Sequence, residues 1–229
     1  MESTRQQPPS LELWLLEVQS YISRVVGAPM KHAGFHFNRA NFSYKRKNKK
    51  SQDILSIIFL SQFPVNYRLG FQLEIWHPQV RHIKESFMHD ILNRESNLCS
   101  IILFNKDFPA ESAQQEEIKD YSLYNHKDLF MIGEWLEQTL QQELIPICDR
   151  MSTIEQMDSY FEANPFWSLN THSGGNICTD LIVAGLNRKR DLHIRYQQLL
   201  LGIQVKIENR QMNPESRELL SLCYDTLKK

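Results

Sequence analysis

From Tyr67 to Ile75 every second residue is apolar: Tyr67, Leu69, Phe71, Leu73 and Ile75 share one phase. Arg68, Gln72 and Glu74 take the other. Side chains along a strand point alternately to its two faces, so the pattern predicts a half-buried strand over 67–77. One face of the sheet is then covered and the other wetter, as is usual in antiparallel sheets. Ile54 to Phe63 is apolar in both phases, which predicts a central strand. Pro64, Val65 and Asn66 turn the chain between these two. A third strand is expected over Phe35 to Arg46, followed by the polar tip Lys47-Asn48-Lys49-Lys50-Ser51-Gln52. Together they make an antiparallel meander.

Elsewhere the period changes to that of a helix. Leu11, Trp14, Leu15, Val18, Ile22, Val25 and Val26 predict a helix capped by Ser10, running to about Lys31 and ended by Gly34. Val80, Ile83, Phe87, Ile91 and Leu92 predict an amphipathic helix over about 79–93. A short strand is expected from Leu98 to Phe104 and an edge strand from Tyr121 to Tyr124. Leu129, Ile132, Leu136, Leu140 and Leu144 mark a helix from about Lys127 to Cys148, with Pro146 perturbing its end. Ser152-Thr153-Ile154-Glu155 has capping-box spacing and starts a short helix to about Ala163. After Ile177 strand alternation is gone, and Leu181, Ile182, Leu186, Leu192, Ile194, Leu199, Leu200, Ile203 and Val205 look helical. Asn213-Pro214-Glu215 opens a last helix.

These patterns divide the chain into a flexible N-terminus (1–9), an α+β domain (10–163), a linker loop (164–176) and a C-terminal helical segment (177–229). The fold class is α+β: an antiparallel twisted sheet of about four to five strands with helices on one face, plus the helical segment.

Hydrophobic content of 41% supports a sizeable core and excludes overall disorder. The net charge of −1 argues against general nucleic-acid or membrane-surface binding. That charge is unevenly spread: residues 1–94 carry a balance of +6, residues 95–175 one of −10 and residues 176–229 one of +3. Attraction between the acidic middle and the basic flanks within the fold is the expectation. Cys99, Cys148, Cys178 and Cys223 form no CxxC motif and sit in apolar settings, as reduced thiols do. Residues 1–9 lack an apolar signal core, and no stretch approaches the roughly 20 apolar residues of a spanning helix. A cytoplasmic protein is expected, with no membrane association.

Candidate chemistry is sparse. Thr171-His172-Ser173-Gly174-Gly175-Asn176 is the best ligand-binding candidate, because its glycines let backbone amides converge on an anion before a helix near Ile177. Arg188 and Arg190 reach such an anion only if the chain folds back near Asn187. The alternative is a plain linker, and the P-loop Lys is absent. Lys45, Arg46, Lys47, Lys49 and Lys50, behind Phe42 and Tyr44, offer a nucleic-acid contact; a solvated hairpin tip is the competing reading. His77, His82, Glu74 and Asp90 could together supply a two-histidine, one-carboxylate metal set, but HxxxH and HExxH are absent, so no metal and no cofactor are expected. Ser173 beside His172 lacks GxSxG. Phe161, Phe166 and Trp167 either fill a partner's pocket or anchor the helical tail.

The order of elements carries one resemblance. A helix precedes Gly34-Phe35, then come Phe42-Ser43-Tyr44-Lys45-Arg46, two strands, a later strand and Asp128-Leu129. A helix ends in Leu144-Ile145-Pro146, and a capped helix begins at Ser152. Over about residues 12–162 this resembles uncharacterised bacterial families filed as domains of unknown function. The resemblance implies no activity, cofactor or catalytic residue.

No catalytic set is legible, and the sequence leaves open whether the chain is an enzyme. The expectation is a soluble intracellular protein without catalysis that binds another protein. The alternative is an enzyme or binder of a phosphorylated or nucleotide-like ligand at residues 171–176.

Overall fold

The computed structural model describes residues 11–48, 50–62, 66–88, 98–108, 121–171, 173–187 and 191–229. Helix α1 (Leu11–His32) buries Trp14, Val18, Ile22, Val26 and Met30 as one stripe. Gly34 adopts φ 82°, and the Phe35 amide donates back to the Met30 carbonyl at 2.9 Å. This is a Schellman stop, which needs a residue that tolerates the left-handed region.

The single strand expected over Phe35 to Arg46 is instead a tight hairpin. β1 (His36–Asn38) and β2 (Ser43–Lys47) pair antiparallel around a 3-10 turn at Arg39–Asn41. Asn38 Oδ1 accepts from the Ala40 amide at 3.1 Å, and Phe42 takes φ 47°. An asparagine side chain thus replaces a backbone acceptor and starts the turn.

β3 (Gln52–Gln62) and β4 (Asn66–Trp76) pair along their full lengths, with Gln52 opposite Trp76 and Leu55 opposite Leu73. Helix α2 (Pro78–Met88) follows, then β5 (Ile101–Phe104) and β6 (Ser122–Leu123). The antiparallel sheet runs β1-β2-β3-β4-β5, with β6 also on β4. β5 and β6 share one flank of β4, at Gln72–Ile75 and Tyr67–Arg68. Between them the Asn105 side chain acts as a peptide substitute. Its Oδ1 accepts from the Phe71 amide at 3.2 Å and its Nδ2 donates to the Leu69 carbonyl at 3.3 Å.

Helix α3 (His126–Thr139) is opened by Asn125 and Asp128 in a reciprocal capping box. It continues through a π turn at Leu140–Leu144 into α4 (Ile145–Arg150). Pro146 has no N–H to give, and the widened turn carries the helix past it. α5 (Ile154–Ala163) is capped by Thr153, one residue later than the capping-box spacing suggested. The phase of β4 then explains the core: Tyr67, Leu69, Phe71, Leu73 and Ile75 are all buried. Helices α1 and α3 meet closely at Gly133, where an added Cβ would lie 2.5 Å from the Tyr21 ring. Phe71 stacks on Trp135 of α3 at 5.7 Å.

The segment 164–176, expected as a linker loop, holds α6 (Trp167–Asn170) and the start of α7 (Gly174–Asn187). Ser168 and Leu169 are buried, and Ser168 Oγ donates to Asp180 of α7 at 2.8 Å. Buried Arg195 holds the same carboxylate from α8 (Leu192–Glu208), with its Nε at 2.8 Å. α9 (Glu215–Leu227) completes the helical segment. α7 buries Ile177, Cys178, Leu181, Ile182, Val183 and Ala184, and so is apolar nearly all round. Such a helix belongs at a centre, and α7 does contact α2, α5, α6, α8, α9 and β5. Among the described residues no helix is long and apolar enough to cross a membrane.

Candidate functional site

The 171–176 segment is tied into the fold. Thr171 Oγ donates to the Ser168 carbonyl at 3.0 Å and accepts from Asn176 Nδ2 at 2.9 Å. Asn176 is fully buried, and its side chain bonds the backbone of Ile102 on β5. Its amide donates to the Ser173 carbonyl at 3.1 Å. Gly174 and Gly175 lie in the first turn of α7, and the Gly175 carbonyl accepts from Thr179. Thr171, Ser173, Gly175 and Asn176 are thus brought together. His172, Arg188 and Arg190 lie outside the described residues.

The basic tip divides by the period of β2. Arg46 points to the covered side. It pairs with Asp53 at 2.8 Å and with Asp149 at 2.7 Å, and its guanidinium lies 4.8 Å from the Phe35 ring centre. Basic flank and acidic middle do meet within the fold here. Burial pushes the Asp53 carboxyl up to about 6, outweighing the pull of Arg46. Lys45 is half-buried, and Lys47 and Lys50 are exposed. Lys49 lies outside the described residues.

Lys47 and Lys50 border a cleft of about 500 Å³ between the β2–β3 turn and the start of α2. Ile54, Trp76, His77 and Arg81 line it with them. The Arg81 guanidinium lies over the Trp76 ring at 5.3 Å and also pairs with Glu85 at 2.7 Å. His77 is 3% exposed. Its backbone amide donates to Ser100 Oγ at 2.7 Å, yet neither ring nitrogen has a hydrogen-bond partner among the described residues. Burial, with Lys50 adding to it, holds the imidazole below its usual pKa and hence neutral.

A second concavity lies between α6 and α8. Phe166, Leu169, Leu201, Gly202, Val205 and Lys206 line a groove of about 660 Å³. Phe161 is fully buried and Trp167 packs on Tyr160 at 5.5 Å, so these two anchor the helical segment. Phe166 does the opposite and is 61% exposed.

No known protein family, no curated protein and no solved structure matches this chain. Function has to be read from geometry.

Two further sets of reactive groups are closed off or dispersed. Lys84 is fully buried and donates to the Cys99 carbonyl at 2.7 Å. Cys178 and Cys223 lie beside it, and all four cysteines are buried. Glu74 and His77 fall in opposite phases of β4, and Glu74 accepts from Trp76 Nε1 at 2.8 Å. His82 is exposed, and Asp90 lies outside the described residues. Among the described residues no group of three His, Cys, Asp or Glu side chains is placed to hold a metal.

Sequence reasoning missed His77 as a cleft residue, although it falls in phase with Phe71, Leu73 and Ile75. That phase was the signal for its burial. It placed Ile194 and Val205 on a helix but did not single out Leu201, or the second apolar stripe that the three form seven and four residues apart.

Proposed function

We propose that this chain is a non-catalytic interaction module that receives an amphipathic helix of a partner protein in the groove beside α8. One observation carries this. α8 already packs Leu199 and Ile203 inward, and it presents Ile194, Leu201 and Val205 outward, each more than half exposed. A helix apolar on two faces calls for cover on both. Exposed Phe166 extends that face, and clustered apolar exposure of this kind marks interaction surfaces. A groove beside a helix suits an incoming helix with anchors at i, i+3, i+4 and i+7. Lys206 at the rim favours an acidic residue on the incoming helix.

The buried thiols support the cytoplasm as its location. A ligand at residues 171–176 has less support, because Thr171 and Asn176 are engaged with Ser168 and Ile102.

Amphipathic helical peptides selected on the full chain test the proposal. Their affinity should fall about tenfold or more in Leu201→Asp and Val205→Asp, with melting temperature unchanged. Peptides that ignore both substitutions, or self-association of the chain that both substitutions abolish, would replace this reading.

A further inference from the structure

The cleft beside Lys47, Lys50 and the start of α2 combines three features that suit one ligand. First, Lys47, Lys50 and Arg81 surround it, and among the described residues no carboxylate lines it. Second, Ile54 and Trp76 give it an apolar wall. Third, His77 sits inside it almost wholly removed from solvent, with both ring nitrogens unpartnered among the described residues. A buried polar atom left unpaired costs about 1–3 kcal/mol, so a fold keeps one where something else supplies the partner.

The geometry points to a binding site for a phosphate-bearing ligand of the nucleotide class, its phosphate held by Lys47, Lys50, Arg81 and His77 and its planar base against Ile54 and Trp76. A neutral imidazole carries one N–H, which a phosphate oxygen accepts. Lysine and arginine add charge-assisted bonds to the remaining oxygens. The cleft volume of about 500 Å³ falls in the range of small-molecule sites. Trp76 already holds Arg81 over its ring, which places that guanidinium where base and phosphate meet. The hairpin register explains why these residues converge. Gln52 pairs with Trp76, so Asn48, Lys50 and Ser51 lie next to His77 and the first turn of α2.

A free nucleotide and the end of a single strand offer the same chemistry, and a titration separates them. The full chain is titrated calorimetrically with inorganic phosphate, a nucleoside 5′-monophosphate, the unphosphorylated nucleoside and a short single-stranded oligonucleotide. The His77 ring is followed by NMR. The monophosphate should bind about tenfold or more tightly than the nucleoside and shift the His77 ring resonances. Lys47→Gln with Lys50→Gln, and separately Arg81→Gln, should each weaken it by about tenfold with the melting temperature kept. An oligonucleotide that binds more tightly, and is lost in the same variants, assigns the phosphate to a strand. A His77 ring unmoved at saturation, or binding indifferent to the three substitutions, overturns the site. None of these readouts involves the groove beside α8, so the two proposals fail separately.

Discussion

Asn176 bonds both backbone groups of Ile102. Its Oδ1 accepts from the Ile102 amide at 3.0 Å, and its Nδ2 donates to the Ile102 carbonyl at 2.8 Å. The first turn of α7 thereby does for the outer edge of β5 what a further strand would do. Asn176→Ala leaves two buried backbone groups unpaired and is expected to cost about 2–5 kcal/mol. Urea denaturation of the two proteins measures it, and an unchanged midpoint would mean that water restores both bonds.

Phe71 lies between Trp135, at 5.7 Å, and Phe108, at 5.8 Å, and is 2% exposed. Its removal opens a cavity between sheet and helix that neither ring can fill. Phe71→Ala should lower stability by about 3–5 kcal/mol, while Arg68→Ala on the half-buried face should change it by less than about 1 kcal/mol. Equal effects at the two positions would contradict the assignment of faces.

Asp53 and Arg46 predict an unusual pH dependence. The folded carboxyl titrates near 6, against 3.8 for an ordinary aspartate. Between these values the folded chain holds a proton that the unfolded chain has released. This group's contribution to stability therefore falls as pH rises from about 4 to 6, by about 3 kcal/mol in all. Asp53→Asn should remove that slope from the difference between wild type and variant. Arg46→Met strands the carboxylate, so it should cost about 3–5 kcal/mol at pH 7 and clearly less at pH 5. A cost independent of pH would show that the guanidinium contributes packing alone.

Lys84 gives the opposite slope. Burial lowers its pKa below the ordinary 10.5. The unfolded chain then binds more protons in the window beneath 10.5, and stability from this group rises with pH through it. Lys84→Met should abolish that rise. Melting curves of both proteins from pH 8 to 10 make the comparison, and the difference includes the change that losing the lysine's charge makes in the neighbouring thiols. Parallel curves would count against a depressed amine.

Legibility tracked regularity. The alternation at 67–75 placed β4 and its buried phase, because a period of two allows no other arrangement. The helical spacing of Leu129, Ile132, Leu136, Leu140 and Leu144 placed α3, and Pro146 marked a perturbed end without specifying the π turn. The β1–β2 hairpin was invisible because Phe42, not glycine, takes the left-handed conformation, so no residue type flagged the turn. Residues 164–176 read as a linker for a similar reason. Pro165, Gly174 and Gly175 are loop formers locally, and only Asp180 and Arg195, distant in sequence, make the segment helical and packed. The cleft was half legible. Its cations stood out, whereas Trp76 and His77 join them only through the β3–β4 register.

The two flanks of β4 also differ in when their partners leave the ribosome. β3 precedes β4 with only residues 63–65 between them, so that ladder can close as soon as residue 76 emerges. The other flank waits for β5, Asn105 and β6, and the far edge of β5 waits for Asn176. Contacts that close short loops form first, since less chain entropy is lost in making them. A growing chain therefore exposes the far flank of β4 from residue 76 until β5 emerges at Ile101–Phe104, and then the outer edge of β5 until Asn176 emerges, so one sheet edge or another stays unpaired through much of synthesis.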